Sequence, residues 1–269
     1  MYVATLICKP ENQRLTDELV SSVTARFNAD RVDWLADKEA VDLFFDAVPD
    51  GFDTYWRGLQ RMRIDFCVQS VEGRRKRVLL ADMDSTMIQQ ECIDELAAQA
   101  GVGAQVARIT AQAMNGELVF ESALSERVKL LKDLPIDVIE TVLRDRITLM
   151  PGGKELVATM KADGAYTALV SGGFTDFTSA IAARLGFDEN RANTLLKDGD
   201  VLTGEHGLPV LGQQAKVDAL REIVQAKGLS AVDVIAVGDG ANDLGMLQLA
   251  GSGVALHAKP VVAAQAKLR

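Results

Sequence analysis

Four short apolar runs, Val78–Ala81, Tyr166–Val170, Val234–Val237 and Gly253–Leu256, carry no polar–apolar alternation. A strand with one wet face alternates. A strand covered on both faces does not, and cover on both faces is the usual condition of a parallel sheet. Between the runs lie stretches of helical periodicity, among them Gly153–Lys161, Thr175–Leu185 and Gln214–Ala226. This succession predicts a doubly wound α/β domain. The segment between the first two runs, residues 88–147, is much longer than one crossover helix requires. It reads as four helices, Cys92–Ala100, Val102–Met114, Phe120–Leu131 and Ile136–Arg144. That excess is expected to form a helical cap over the strand ends. After the fourth run only Lys259–Arg269 follow, so the domain reads as truncated or as having lost a disordered tail.

Residues 1–70 follow another pattern. Tyr2–Cys8, Val32–Leu35, Val41–Phe45 and Ile64–Val68 read as strands, and Leu15–Phe27 and Phe52–Met62 as helices. The order βαββαβ predicts a ferredoxin-like α+β sandwich. Residues 71–76 are polar and charged and read as a linker into the domain at 77–269. A length of 269 residues suits two such domains. The net charge of −9 argues against a nucleic-acid surface, which needs a basic patch. The run Arg74-Arg75-Lys76-Arg77 is short and reads as part of a solvated linker. Cys8, Cys67 and Cys92 show no zinc spacing and no disulfide framework, which fits a reducing cytoplasm. No signal peptide is evident at the N-terminus, and no apolar run reaches the roughly 20 residues a bilayer span needs.

In doubly wound sheets, ligands sit beyond the carboxyl ends of the strands. The first run leads into Asp82-Met83-Asp84-Ser85-Thr86, and the third into Gly238-Asp239-Gly240-Ala241-Asn242-Asp243. If the chain turns just after Asp82, one carboxylate can attack a centre while the other moves a proton. Several carboxylates in one place repel each other, and a hard cation such as Mg²⁺ relieves this with oxygen ligands. Ser171-Gly172-Gly173 follows the second run and suits an oxyanion, with a hydroxyl donor and an approachable backbone. Lys216, at a helix start, is a natural point charge for phosphate. Each feature has a plainer reading by itself. Asp-x-Asp occurs in polar turns, Asp239 and Asp243 can cap a helix at 242–250, Ser-Gly-Gly marks turns, and a lone helical lysine usually faces solvent. Phe120, Leu124, Val128 and Leu131 form one helical stripe bordered by Arg127, a cation that needs an anionic partner. That partner could be a ligand or a structural carboxylate. His206 and His257 fall in no motif. Cys92 reads as a small buried residue.

Taken together and in this order, these parts resemble the haloacid dehalogenase-like superfamily of phosphotransferases. Within it, four segments are similar to the phosphoserine phosphatase family. These are Asp82-Met83-Asp84-Ser85-Thr86 with Glu91, Phe120-Glu121-Ser122-Ala123-Leu124 through Arg127 to Leu130-Leu131-Lys132, Val170-Ser171-Gly172-Gly173-Phe174, and Val237 through Asp243. The likeness covers about residues 77–260. It implies Asp82 as the nucleophile that forms an aspartyl-phosphate, and Asp84 as the general acid and base. It implies Mg²⁺ held by Asp82, the backbone carbonyl of Asp84, and Asp239, with Asp243 behind the metal shell. Ser171, Gly172 and Lys216 would hold the phosphoryl oxygens, assisted by Asn242. In the cap, Glu91 would meet the ammonium of O-phospho-L-serine and Arg127 its carboxylate, which suits a guanidinium better than an amine. Phe120 and Met114 would give apolar cover, although both also read as cap core.

Residues 1–70 resemble the ACT-like modules attached to some of these phosphatases. Such modules often bind amino acids through a glycine-containing turn after the first strand. Here that turn is Cys8-Lys9-Pro10-Glu11-Asn12-Gln13, without a glycine. This favours homodimer contacts or simple packing over ligand binding. Two further activities stay open: phosphoryl transfer to another small alcohol such as homoserine, and amino-acid-binding regulation.

Overall fold

The structure is a computed structural model. It describes residues 1–269 except Pro49, Asn115, Gly116 and Lys267, and except the side chains of Asp53, Ala113 and Met114. The chain divides into two units, Met1–Arg75 and Lys76–Arg269.

The first unit runs β1 (Tyr2–Cys8), α1 (Asp17–Phe27), β2 (Arg31–Ala36), β3 (Ala40–Phe45), α2 (Phe52–Arg61) and β4 (Ile64–Ser70). The strand order β2-β3-β1-β4, with every neighbour antiparallel, is the ferredoxin-like arrangement expected from the element order. Alternate residues of β1, β3 and β4, among them Ala4, Leu6, Leu43, Phe45 and Phe66, bury against Val20, Val23 and Phe27 of α1. The Phe27 ring meets Phe66 edge-on at 5.3 Å. On the other face, the Asp42 carboxylate accepts from Thr5 Oγ1 at 2.7 Å and from two nitrogens of Arg74. Arg74 is therefore no solvated linker residue. A buried carboxylate needs a partner, and Arg74 supplies it, which folds residues 71–75 onto the first unit.

In the second unit, β5 (Val78–Ala81) lies at the centre of a five-stranded parallel sheet of order β11-β10-β5-β6-β7. Its neighbours are β6 (Tyr166–Phe174) and β10 (Val234–Gly238); β7 (Glu189–Asn193) and β11 (Ser252–Ala255) form the edges. Leu79 and Ala81 pack in one core with α7 (Gly153–Ala162) and α8 (Thr175–Leu185). Val78 and Leu80 pack in the opposite core with α9 (Gln213–Ala226) and α10 (Leu244–Leu249). Both faces of β5 are covered, which is why its sequence does not alternate. The chain winds outward from β5 to β7 and then returns to β10 on the other side. The reversal lies between β5 and β10, whose carboxyl ends carry Asp82 and Asp239.

Four helices follow β5: α3 (Cys92–Gln99), α4 (Gly103–Met114), α5 (Phe120–Lys129) and α6 (Asp137–Asp145). Three strands do not appear in the sequence reading: β7, and a hairpin of β8 (Leu195–Asp198) with β9 (Val201–His206). The hairpin backbone bonds the segment after α5, with Asp133 N donating to Leu202 O and Leu202 N to Leu134 O, both at 2.9 Å. His206 Nε2 lies 2.8 Å from Ser125 Oγ of α5, so this histidine ties hairpin to cap. The described C-terminal residues pack against the rest of the second unit. Val262 in α11 (Pro260–Ala263) is buried, and Leu268 bridges Val254 of β11.

Candidate active site

Asp82 is the first residue beyond β5, and its N–H donates to Val237 O at 3.0 Å, so the sheet ladder fixes its backbone. The chain then curls around Met83, whose carbonyl accepts from the N–H groups of Thr86, Met87 and Ile88. Ser85 takes the left-handed conformation, φ 55°, that this reversal needs. The turn delivers Asp84 beside Asp82. Asp84 Oδ1 accepts from Cys92 N at the first turn of α3, at 2.8 Å, and Oδ2 accepts from Ser171 Oγ at 3.1 Å. The cap's first helix and the β6 strand end therefore hold one carboxyl between them.

Ser171, Gly172 and Gly173 differ from the expected turn. They continue β6 as far as Phe174, and neither glycine has a positive φ. Space makes them glycines. A Cβ on Gly172 would lie 3.1 Å from Phe120 Cζ, and one on Gly173 2.8 Å from Asp84 Oδ2. Asn193, at the end of β7, steadies this strand end. Its Nδ2 donates to Gly172 O and Leu211 O, and its Oδ1 accepts from Leu211 N. Sequence reading missed Asn193 because β7, Glu-Asn-Arg-Ala-Asn, is a polar edge strand without the apolar signal of its neighbours.

Lys216 lies in the first turn of α9 but does not face solvent; it is 2% exposed. Its Nζ stands 2.7 Å from Asp82 Oδ1 and 2.6 Å from Asp243 Oδ1. Burial alone would lower this ammonium, but Asp82 and Asp243 outweigh it and hold Lys216 above the usual lysine range. An ammonium has three donors, so one stays available beyond these two carboxylates. Asp243 Oδ2 accepts from the N–H groups of Asp239 and Gly240, so its side chain caps the short turn Ala241–Asp243 rather than the helix that follows, while its other oxygen serves the site. Asp239 Oδ1 accepts from Thr86 Oγ1 at 3.2 Å, a function for the motif threonine that its sequence position did not disclose.

One carboxylate oxygen each from Asp82, Asp239 and Asp243 lie within 4.8 Å of one another. Burial, then repulsion from Asp243, push Asp82 well above the usual carboxylate range, against the pull of Lys216. Burial and Asp243 also raise Asp239, opposed by Thr86, Lys216 and Lys259. Crowded oxygen donors that resist ionising together fit a hard divalent cation, which removes the repulsion. The side-chain trio includes Asp243, where the sequence reading had Asp84 through its backbone carbonyl and placed Asp243 behind. Asp84 turns its own carboxyl instead to Cys92 and Ser171. Burial raises Asp84, against hydrogen bonds from Cys92 and Ser171.

These groups open into a cleft of about 450 Å³ walled on the far side by the cap, with Glu91, Phe120 and Arg127 among its lining. Larger hollows occur beside α6, about 640 Å³, and between α1 and α2, about 580 Å³, but neither contains these groups. Glu91 Oε1 accepts from Ser85 Oγ at 2.7 Å. Solvent still reaches the residue, yet partial burial and then repulsion from Asp84 push it up to about 7. Arg127 Nε donates to Ala123 O at 3.1 Å, and no carboxylate among the described residues lies within ion-pair distance of its guanidinium. Burial lowers Arg127, opposed at longer range by Asp94, Glu91 and Asp84. Leu124, Val128 and Leu131 of its stripe are buried in the cap core, while Phe120 lines the cleft. Asn242 lines the cleft beside Asp239. The Met114 side chain lies outside the described residues. Thr110 Oγ1 on α4, which sequence reading did not single out, is a buried hydroxyl in the cleft wall without a partner among the described residues.

The chain is 43% identical over 208 residues to a phosphoserine phosphatase of Archaeoglobus fulgidus, a match covering 77% of this chain and 60% of that protein. It is 42% identical over 246 residues to one of Vibrio cholerae, covering 91% and 74%. A crystal structure of a haloacid dehalogenase family hydrolase from Salmonella enterica serovar Typhi superposes with a TM-score of 0.87. The two are 32% identical, with 100% of this chain and 94% of that chain covered. Residues 79–248 match the haloacid dehalogenase-like hydrolase family, which takes in both aspartate-bearing strand ends and the whole cap. By its central sheet, its strand-end carboxylates and these relatives alike, the chain belongs to the haloacid dehalogenase-like hydrolases.

Proposed function

We propose that this chain is a magnesium-dependent phosphoserine phosphatase that hydrolyses O-phospho-L-serine to L-serine and phosphate, the last step of phosphorylated serine synthesis. The observation that carries the reading is one cleft with Asp82 and Asp84 on its floor and Glu91 and Arg127 on its cap wall. The two relatives' names and the identity to them support it. Asp82, Asp239 and the backbone carbonyl of Asp84 would hold magnesium, with Asp243 behind them. When bound, magnesium supplies positive charge against the phosphoryl oxygens.

An Asp82 carboxylate oxygen attacks phosphorus, and the bond from phosphorus to the seryl oxygen breaks. Asp84 gives its proton to that oxygen, and serine leaves. Asp84, now ionised, takes a proton from water as the water oxygen attacks phosphorus, and the bond to Asp82 breaks. Ser171, the Gly172 backbone, Asn242 and the remaining Lys216 donor hold phosphoryl oxygens. Glu91 pairs with the substrate ammonium, and Arg127 with its carboxylate. The same reading places the enzyme in the cytoplasm, supported by three free cysteines. It gives the first unit a role in homodimer contacts, supported by exposed Ile7, Val32, Trp34 and Leu35.

The test is phosphate release from L-phosphoserine with magnesium and with EDTA, beside phosphothreonine, phosphohomoserine and a sugar phosphate. Metal-dependent preference for phosphoserine, lost in Asp82→Asn with the fold intact, is the expected result. Preference for another ester would overturn the substrate assignment. A new phosphomonoester formed when homoserine is supplied would make the enzyme a transferase.

A further inference from the structure

The strand end that carries Ser171 runs out of backbone ladder. Pairing of β6 with β5 ends at Leu169, and pairing with β7 shifts register between Val170 and Phe174. Backbone groups inside a fold need other partners once a ladder stops. The Asn193 side chain supplies them. It is 2% exposed, and its carboxamide stands in for a peptide group. Nδ2 donates to Gly172 O at 2.8 Å and to Leu211 O at 3.3 Å, and Oδ1 accepts from Leu211 N at 2.7 Å. Both amide hydrogens are used, and the reverse orientation would set Oδ1 against two carbonyls.

Two consequences reach the reacting groups. Gly172 O belongs to the same planar peptide as the Gly173 N–H, so a grip on the carbonyl fixes the direction of the N–H. That N–H donates to Ser171 Oγ at 2.9 Å. Ser171 has one hydroxyl hydrogen, which it donates to Asp84 Oδ2 at 3.1 Å. Once Asp84 carries the proton meant for the seryl oxygen, its carboxyl no longer needs that hydrogen, and the hydroxyl turns to a phosphoryl oxygen. The Gly173 N–H keeps Oγ in place through the change. The second consequence runs through Leu211. It precedes Gly212, the N-cap of α9, whose first turn carries Lys216. One buried side chain therefore joins the Ser171 strand end to the Lys216 helix.

We propose that Asn193 is a positioning residue for phosphoryl transfer: by holding the Gly172–Gly173 peptide and Leu211, it sets Ser171 Oγ and the start of α9 against the phosphoryl group. The proposal rests on the phosphatase reading, and its test separates the two. The magnesium-loaded full chain is compared with Asn193→Ala and Asn193→Asp, with folding checked by denaturant unfolding. Inhibition by orthovanadate, a mimic of the phosphoryl group in transit, reads the floor of the cleft. Inhibition by L-serine reads Glu91 and Arg127 on the cap. In Asn193→Ala, kcat for phosphoserine and orthovanadate affinity should each fall about tenfold, the effect of moving Ser171 Oγ by about 0.5 Å. L-serine inhibition should keep its parent value. Parent-like kcat and orthovanadate affinity would overturn the proposal. So would equal weakening of orthovanadate and L-serine, which would make Asn193 a structural residue only. Should Asn193→Ala not fold, Asn193→Asp is judged by the same pair of inhibitors. Its side chain has the same size and still accepts from Leu211 N, but it offers Gly172 O no hydrogen when ionised. A parent chain that turns over an aryl phosphate, but neither hydrolyses phosphoserine nor is inhibited by L-serine, would sink the substrate reading. The kcat and orthovanadate comparison at Asn193 would then stand on the aryl ester.

Discussion

Gly173→Ala isolates the positioning of Asp84 from its chemistry. The backbone at Gly173 is outside the left-handed region, so alanine is sterically acceptable there in conformation alone. The new methyl is the problem. It would sit 2.8 Å from Asp84 Oδ2 and 3.1 Å from Ser171 Oγ, where ordinary contact begins near 3.4 Å. Asp84 must therefore retreat by about 0.6 Å, out of a position set by Cys92 N and Ser171 Oγ, and a displacement of about 1 Å can cost about a hundredfold in rate. We expect kcat for phosphoserine to fall about tenfold or more, equivalent to about 1.4 kcal/mol of barrier. Stability should fall by only about 1 kcal/mol, the size of one loosened hydrogen bond. Rates with phosphoserine and with an aryl phosphate separate the causes. A seryl oxygen needs a proton to leave, whereas a phenolate leaves more readily without one, so the loss should be larger for phosphoserine. Full kcat on phosphoserine, or equal losses on both esters in a folded variant, would refute the argument. Gly172→Ala serves as the comparison, because its methyl would press on the Phe120 ring rather than on a carboxyl.

Lys216→Met should leave Asp82 and Asp243 buried without their shared cation and cost about 3–5 kcal/mol, read from denaturant unfolding in EDTA; a variant as stable as the parent would mean the pair is not ionised together. Because Glu91 is raised to about 7, it carries a proton below that pH and cannot pair with an ammonium. Then kcat/KM for phosphoserine should climb as pH rises through about 7, and Glu91→Gln should be slower and lack that limb; an unchanged limb in the variant would assign it to another group. Arg127→Ala should reduce kcat/KM for phosphoserine by about a hundredfold, the loss of a charge-assisted pair, with much less effect on an aryl phosphate that has no carboxylate. Equal losses on the two substrates would make Arg127 a structural residue of the cap.

Much of the fold is legible in local pattern. Val78–Ala81 and Val234–Val237 read as doubly covered strands because both sets of their alternating side chains enter apolar cores. The ferredoxin-like unit is legible from element order, since few pairings of βαββαβ bury one face of β1, β3 and β4 against the helices. The edge elements are different. Glu189–Asn193 and the hairpin of β8 and β9 carry little apolar signal, because an edge strand or ribbon needs less cover. Their consequences were hidden with them, including the Asn193 brace on Gly172 and the His206 contact to the cap. Arg74 was misleading for a related reason: its partner Asp42 is 32 residues away in sequence, and charge composition does not reveal pairing over that distance.

By itself, the sequence determined which chemistry this chain could offer. Paired aspartates at strand ends, a serine with two glycines, and a cap segment bearing Glu91 and Arg127 are local facts of residue type and spacing. Only the tertiary structure decided how those groups divide their work. It buried Lys216 between Asp82 and Asp243, turned the Asp84 carboxyl onto Cys92 and Ser171, and made two glycines a matter of room for Asp84 and Phe120. The physical reason is range. Propensity and periodicity act over a few residues, whereas the pairing of buried charges and the exclusion of one methyl depend on atoms brought together from strands far apart in the chain.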